Sequence, residues 1–169
     1  MKPPPLLTAG APIRDAAGWV GAACWTELRL HEVITGWLAG EPEPSVQIAF
    51  WTVRADRAAQ ARIWNDRLPQ LAEMPRSEFM IPRSPLAVGR LDGLGSLTQA
   101  DETAARVVGF DTALVDLGRG YALHRLVAVG LADGPVASAL FDAVARVEHS
   151  RALLASLGHG VGHPTDPLP

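Results

Sequence analysis

The chain has 169 residues, of which 48% are hydrophobic and 20% are charged, and its formal net charge is −3 at pH 7. This length and composition predict one globular domain with a sizeable core and exclude a disordered polypeptide. The slightly acidic balance, without any basic block, argues against a nucleic-acid-binding surface.

Signals for export or membrane insertion are absent from the sequence. Three prolines within residues 1–5 stand where a signal peptide would carry its apolar run. No uncharged apolar stretch reaches the roughly 18 residues that a membrane-spanning helix needs. Cys24 is the only cysteine, which fits a reducing compartment. The sequence therefore predicts a cytoplasmic protein that does not enter a membrane.

The first predicted helix spans about residues 15–38. Its apolar side chains recur at alternating spacings of four and three, as expected for a helix with one buried face. Glu27 and His31 fall within this buried stripe. The short turn at 39–44 contains two prolines, and it requires the next helix to run back antiparallel to the first.

The second predicted helix spans about residues 45–71, with Ser45 as its N-cap. Asp56 and Gln60 lie on its apolar seam. Glu27 and Asp56 stand at nearly equal distances from the turn between the two helices. We therefore expect both carboxylates at the same height, facing each other across the helix pair.

A long connection at 72–97, rich in proline and glycine, separates this hairpin from a second one. The second hairpin has predicted helices at about 98–131 and 136–157, with Asp133 capping the last of them. Two hairpins joined by one long crossover form the ferritin-like arrangement. The connection is predicted either to cross the length of the bundle or to act as a mobile lid or partner-binding loop, since loops of this length are uncommon.

The second hairpin supplies further polar groups at the same level. Tyr121 and His124 lie on the seam of the third helix, and Glu148 and His149 lie beyond the turn on the fourth. We predict a polar core that includes Gln60, Tyr121, His124 and Glu148. Carboxylates and imidazoles gathered at one level of a four-helix core are typical of di-iron bundles.

Two segments carry a resemblance to a known family. Residues 53–62, VRADRAAQAR, resemble the second helix of phenylacetyl-CoA oxygenase-type subunits, and residues 147–153, VEHSRAL, resemble the acidic–His segment that ends many ferritin-like bundles. Over residues 15–157 the chain thus resembles the ferritin-like superfamily. The resemblance implies an all-α four-helix bundle in a single domain, with extended tails at 1–12 and 158–169.

The resemblance also implies an incomplete ligand set. Glu27 matches the ligand of the first helix, and Asp56 replaces the glutamate of the second. Ala59 stands where the paired histidine belongs, and neither Glu148 nor His149 lies in a Glu-x-x-His motif. A di-iron site needs about six protein ligands, so this chain departs from the family pattern.

Two interpretations of the polar residues remain open. One iron or manganese ion could be held by four candidate ligands, namely Glu27, His31, Asp56 and His149. Alternatively, the carboxylates pair with buried arginines, of which Arg57 and Arg151 are the first candidates. The ligand count favours arginine and no cofactor. The predicted function is then a non-catalytic ferritin-like protein that binds a partner subunit or a small molecule, and the alternative is a metal-dependent oxidoreductase.

All five tryptophans fall in the first two predicted helices, and they are Trp19, Trp25, Trp37, Trp51 and Trp64. The buried seams of these helices are already occupied by other apolar side chains. The surplus predicts a homodimer through this hairpin, because tryptophan is enriched at the centres of interfaces. Oversized filling of the core is the alternative. Near the C-terminus, His159 and His163 form a weak metal-chelating pattern.

Overall fold

The computed structural model describes residues 8–128 and 134–158, and this part of the chain is helical. It contains no β-strand, and the all-α prediction is confirmed. No described helix is both long enough and apolar enough to cross a membrane. The predicted cap at Asp133, the histidines at 159 and 163 and most of the predicted tails lie outside the described residues. The helices are α1 Ile13–Leu38, α2 Pro44–Arg67, α3 Arg76–Phe79, α4 Pro85–Gly95, α5 Thr103–Val127 and α6 Gly134–Gly158, with a short 3-10 helix at Ala100–Glu102.

The two helices of the first hairpin run antiparallel. Close to the turn, Gln47 of α2 donates a hydrogen bond to the carbonyl oxygen of Leu38. Far from the turn, the thiol of Cys24 lies 3.4 Å from the carbonyl oxygen of Ala61. The two helices therefore run in opposite directions, as the short turn predicts.

Helix α5 also runs antiparallel to α1. The ring of Trp37 lies 5.9 Å from that of Phe110, and the ring of Trp19, near the start of α1, lies 5.8 Å from that of His124 near the end of α5. Because α1 is antiparallel to both α2 and α5, the latter two run in the same direction. The connection between them must therefore cross the length of the structure.

The connection is folded, and it contains two helices, α3 and α4, that its proline and glycine content did not predict. Helix α2 ends at Arg67 instead of residue 71, because Pro69 disfavours helical geometry at Leu68, which is extended with ψ 145°. Helix α4 begins at Pro85, and the Ser84 side chain accepts a hydrogen bond from the backbone of Ala87. Helices α3 and α4 both pack on α1, and α4 also contacts α5.

A buried ion pair closes one end of the structure. Arg106 of α5 donates to Glu41 in the α1–α2 turn at 3.2 Å, and Thr103 donates to the same carboxylate at 3.0 Å. The guanidinium also donates to the carbonyl oxygens of Leu97 and Gln99 at 2.9 and 2.7 Å. These bonds fix the end of the crossover against the turn between α1 and α2.

The tryptophans are mostly inside the structure. Trp37 and Trp64 are fully buried, Trp19 is 9% exposed and Trp25 is half-buried. Trp51 is 52% exposed on the outer face of α2. Core filling therefore accounts for most of the surplus from which the homodimer was predicted. The homodimer stays a prediction that light scattering can test.

Candidate functional site

A carboxylate and a guanidinium are paired at the centre of the four long helices. Glu27 belongs to the buried stripe of α1, and Arg57 belongs to the buried face of α2. Both side chains are fully buried, and Nη1 of Arg57 lies 3.2 and 3.0 Å from the two oxygens of Glu27. The arginine partner that the sequence predicted for Glu27 is therefore Arg57.

Tyr121 of α5 also contacts this pair. Its hydroxyl donates to Oε1 of Glu27 at 2.5 Å and accepts a hydrogen bond from the indole of Trp64 at 3.0 Å. The two rings also pack with centroids 5.5 Å apart. The hydroxyl of Tyr121 thus has a donor and an acceptor, which fixes the position of its ring.

Helix α6 completes the cluster through Ser150. Arg57 donates to the Ser150 hydroxyl at 3.2 Å, and that hydroxyl donates to Asp56 at 3.3 Å. Asp56 is half-buried and forms an ion pair with Arg146 at 3.5 Å. The two carboxylates predicted at one height are therefore linked through Arg57 and Ser150, and each has its own arginine partner.

Burial controls the protonation of the cluster. Loss of water raises the pKa of Glu27 above its ordinary value, while Arg57 and the hydrogen bond from Tyr121 act in the opposite direction. Burial and the neighbouring carboxylate raise the pKa of Tyr121. The tyrosine therefore remains a hydrogen-bond donor at neutral pH, and the guanidinium balances the glutamate.

The prediction that Glu148 belongs to the polar core is wrong, and His149 does not face the core either. Both side chains are exposed. The buried positions of α6 include Val147 and Ser150, and a helix turns by about 100° per residue. The two residues between these positions consequently point outwards. Ser150 fits the same apolar spacing, but a serine within an apolar stripe gives no sequence signal of a polar contact.

His31 and Arg151 also lie outside the cluster. His31 is half-buried on α1, where burial and the charge of Arg54 lower its pKa. Arg151, the second predicted partner of Glu27, is exposed and donates to Asp111 at 2.8 Å. The four candidate metal ligands are thus not brought together.

The residues present do not fit a two-metal centre. Within residues 8–128 and 134–158, no group of three or more His, Cys, Asp or Glu side chains is placed to hold a metal ion. More decisively, the positive charge of Arg57 already contacts both oxygens of Glu27. A metal cation at Glu27 would have to displace this guanidinium and leave it buried without a counter-ion.

The remaining predicted core residues, Gln60 and His124, are buried. Neither side-chain amide atom of Gln60 has a hydrogen-bond partner in the described part of the chain. His124 is 7% exposed and packs beside Trp19. Gln60 therefore lacks the partners that a buried amide requires, whereas His124 belongs to a second feature next to the cluster.

This second feature is a cavity of about 380 Å³ between α1, α5 and the crossover. Its size lies within the range of small-molecule sites. Apolar and aromatic side chains from all three sides form most of its wall, and they include Trp19, Ala22, Leu91, Ala113, Leu117 and Tyr121. Sequence analysis missed this cavity, because its existence depends on where the crossover packs.

Charged side chains stand around the cavity. Arg83 and Arg90 come from the crossover, and Asp116 and Arg119 come from α5. Asp116 pairs with Arg90 at 2.9 Å and with Arg119 at 3.6 Å. The guanidinium of Arg83 lies 3.8 Å from the ring centre of Trp19. The cavity thus combines an apolar wall with a cationic border, which can orient a ligand that has one polar end.

Comparisons of the chain with protein-family models, curated proteins and solved structures found no match.

Proposed function

We propose that this protein is a ferritin-like four-helix bundle without a metal centre that binds a small organic molecule in the cavity beneath its crossover. The observation that carries the proposal is the double role of Tyr121. Its ring forms part of the cavity wall, and its hydroxyl is held by Glu27, the partner of Arg57. The buried ion pair then serves to fix the binding wall and has no catalytic task.

The helix directions support the ferritin-like part of the proposal. In the second hairpin, Asp111 of α5 contacts Arg151 of α6 and Gly118 lies next to Val147, so this hairpin is antiparallel like the first. Two antiparallel hairpins joined by a long connection between helices that run in the same direction have the connectivity of that bundle. The level at which such bundles hold metal ligands corresponds here to the Glu27–Arg57 pair. The arginine supplies the positive charge that metal ions supply in the resembled proteins.

Small-molecule binding is favoured over binding of a partner subunit because the apolar wall is concave. The cavity offers concave apolar surface with a few polar groups at its border, as small-molecule sites do. The alternative function, a metal-dependent oxidoreductase, requires a cation that Arg57 opposes. Metal analysis of protein purified from cells supplied with iron or manganese tests this alternative, and a stoichiometric, chelatable metal would support it.

Filling the cavity tests the proposed function. Ala113 lies in the α5 wall and Ala87 in the α4 wall, so Ala113→Phe and Ala87→Phe place a ring in the cavity from opposite sides. Two probes that share an apolar naphthyl ring, 2-naphthoate and 2-naphthamide, should stabilise the wild-type protein, because a ligand that binds only the folded state raises the melting temperature. At a hundredfold excess over Kd the rise should be about 5 to 10 °C for this chain length.

Both filled variants should lose this rise. The matched control is Ala122→Phe, which introduces the same ring on the exposed side of α5 and should keep it. Circular dichroism must show native helicity in each variant that is compared. A stabilised wild type with equal stabilisation of both folded, filled variants would contradict binding in this cavity, and so would a wild type that neither probe stabilises.

A further inference from the structure

We infer that the cavity binds an organic carboxylate, with the carboxylate at Arg83 and an apolar body against Trp19 and the α5 wall. The inference deepens the proposed function and rests on it. Three independent observations support this ligand class: the position of Arg83, the balance of charge around the cavity, and the chemistry of the wall.

Arg83 is placed to receive an anion. Its guanidinium stacks on Trp19 at 3.8 Å, which holds the planar group in one orientation. It forms no ion pair with any described residue. On the α5 side it approaches Gly120, whose missing side chain leaves space at the guanidinium. A stacked arginine with its donor edge open is suited to bidentate binding of a carboxylate.

The charge around the cavity is positive although the chain as a whole carries −3. Three arginines, Arg83, Arg90 and Arg119, share the border with one carboxylate, Asp116. Two positive charges are therefore in excess. Asp116 already pairs with Arg90 and Arg119, so the excess is best compensated at Arg83. Burial also lowers the pKa of Arg83. A nearby anion would oppose this shift, because it stabilises the charged guanidinium.

The wall selects for a ligand with an apolar body. Ala22, Ala113 and Leu117 offer small aliphatic surface, and Trp19 and Tyr121 offer aromatic surface. An inorganic anion would leave this surface wet, whereas an amphipathic acid covers it and gains roughly 25 cal/mol for each Å² of apolar area removed from water. The inferred ligand is therefore an aliphatic or aromatic carboxylic acid in its ionised form.

Isothermal titration calorimetry with matched acids and amides tests the inference. The probes are 2-naphthoate against 2-naphthamide, for an aromatic body, and octanoate against octanamide, for an aliphatic one. Each carboxylate should bind wild-type protein at least about tenfold more tightly than its amide, since hydrogen bonds to a charged group contribute that much or more. Inorganic phosphate should not compete at equal concentration. The acid that binds more tightly, 2-naphthoate or octanoate, shows whether the cavity prefers an aromatic or an aliphatic ligand.

Substitution of Arg83 should remove the preference. In Arg83→Gln the affinity for the carboxylate should fall about tenfold or more, while the affinity for the amide stays within about twofold. Arg62→Gln, on the exposed face of α2, is the matched control and should keep the preference. Melting curves identify whether each variant is folded.

The outcomes separate the two proposals. Equal binding of acid and amide by wild type, or an unchanged preference in folded Arg83→Gln, would overturn the carboxylate inference and leave small-molecule binding intact. Binding of no probe by wild type would overturn the proposed function and this inference together.

Discussion

The guanidinium of Arg57 lies 3.0 Å from the carboxylate of Glu27, and both side chains are fully buried. Removal of either partner leaves a charge that has no water to solvate it. Arginine cannot give up its proton at any working pH, whereas a buried carboxylate can take one. The two single substitutions should therefore differ in their dependence on pH.

Glu27→Gln should lower the free energy of unfolding by about 3 to 5 kcal/mol, the usual loss when a buried pair is broken. The loss should be larger at pH 5 than at pH 8, because burial raises the pKa of Glu27 in the wild type, and only the wild type gains stability from binding this proton as the pH falls. Urea denaturation at several pH values measures it. Glu32→Gln, which changes an exposed glutamate of the same helix, is the control and should change stability by less than about 0.5 kcal/mol. A stability loss in Glu27→Gln as small as that in Glu32→Gln would contradict the pairing of Glu27 with Arg57.

The Arg57→Met variant should be less stable than wild type, and the difference in their free energies of unfolding should shrink as the pH falls. Burial already raises the pKa of Glu27 above 4.5, and Arg57 opposes that rise, so removing Arg57 raises it further. A folded state that binds a proton more tightly than the unfolded state loses stability as pH rises through the folded-state pKa. The deficit against wild type should therefore be larger at pH 8 than at pH 5. An equal deficit at both pH values would show that Glu27 does not carry the charge assigned to it.

Gln60 should be replaceable with a gain in stability. Its side chain is fully buried, and its amide oxygen and nitrogen have no partner in the described part of the chain. A buried polar group without a hydrogen bond costs about 1 to 3 kcal/mol. Gln60→Met keeps a similar volume and should raise the melting temperature by several degrees. The control is Gln70→Met at an exposed position just after α2, and a lower melting temperature for Gln60→Met would show that its amide is satisfied in solution.

The Cys24 thiol should be unreactive in the folded protein. Burial raises its pKa to about 11, and the charge of Glu27 adds to that rise. Because the thiolate is the nucleophile, Ellman's reagent at pH 8 should modify Cys24 only after the protein opens. The modification rate should rise steeply with urea through the unfolding transition. Full modification within seconds without urea would contradict this burial.

His31 should make the protein less stable in mild acid. Burial and Arg54 lower its pKa from 6.5, while Glu32 partly opposes them. The folded state thus binds this proton less readily than the unfolded chain, so the contribution of His31 is present above pH 6.5 and is lost as pH falls through the folded-state pKa. His31→Gln should flatten the loss of stability between pH 7 and 5. An identical slope in wild type and variant would contradict the assigned pKa direction.

The sequence predicted the elements that depend on local periodicity. The α1 stripe placed Glu27 in the core, and the short turn set α2 antiparallel to it. Periodicity does not decide the partner of Glu27, because Asp56 and Arg57 are neighbours and only about 100° of helix rotation separates them. On α6 the spacing of Val147 and Ser150 is itself sufficient to predict that Glu148 and His149 point outwards.

The cavity could not be predicted by the same reasoning. Its walls come from α1, α5 and the crossover, and periodicity contains no information on how the crossover packs across two helices. Gly21 of α1 gives one indication of this packing. Helix α3 approaches α1 so closely that a side chain at Gly21 would collide with the carbonyl group of Phe79. A glycine on a buried helix face indicates close backbone approach, but it does not name the partner.

An NMR titration of ¹⁵N-labelled wild-type protein with 2-naphthoate tests ligand binding beneath the crossover most directly. A ligand bound there should cause the largest chemical-shift changes at the Trp19 indole, at Gly120 and at residues 83–91, with smaller changes at Tyr121. The indole of Trp51, exposed on the outer face of α2, should not shift. Changes centred on Trp51, or no change at saturating probe, would contradict a ligand site beneath the crossover.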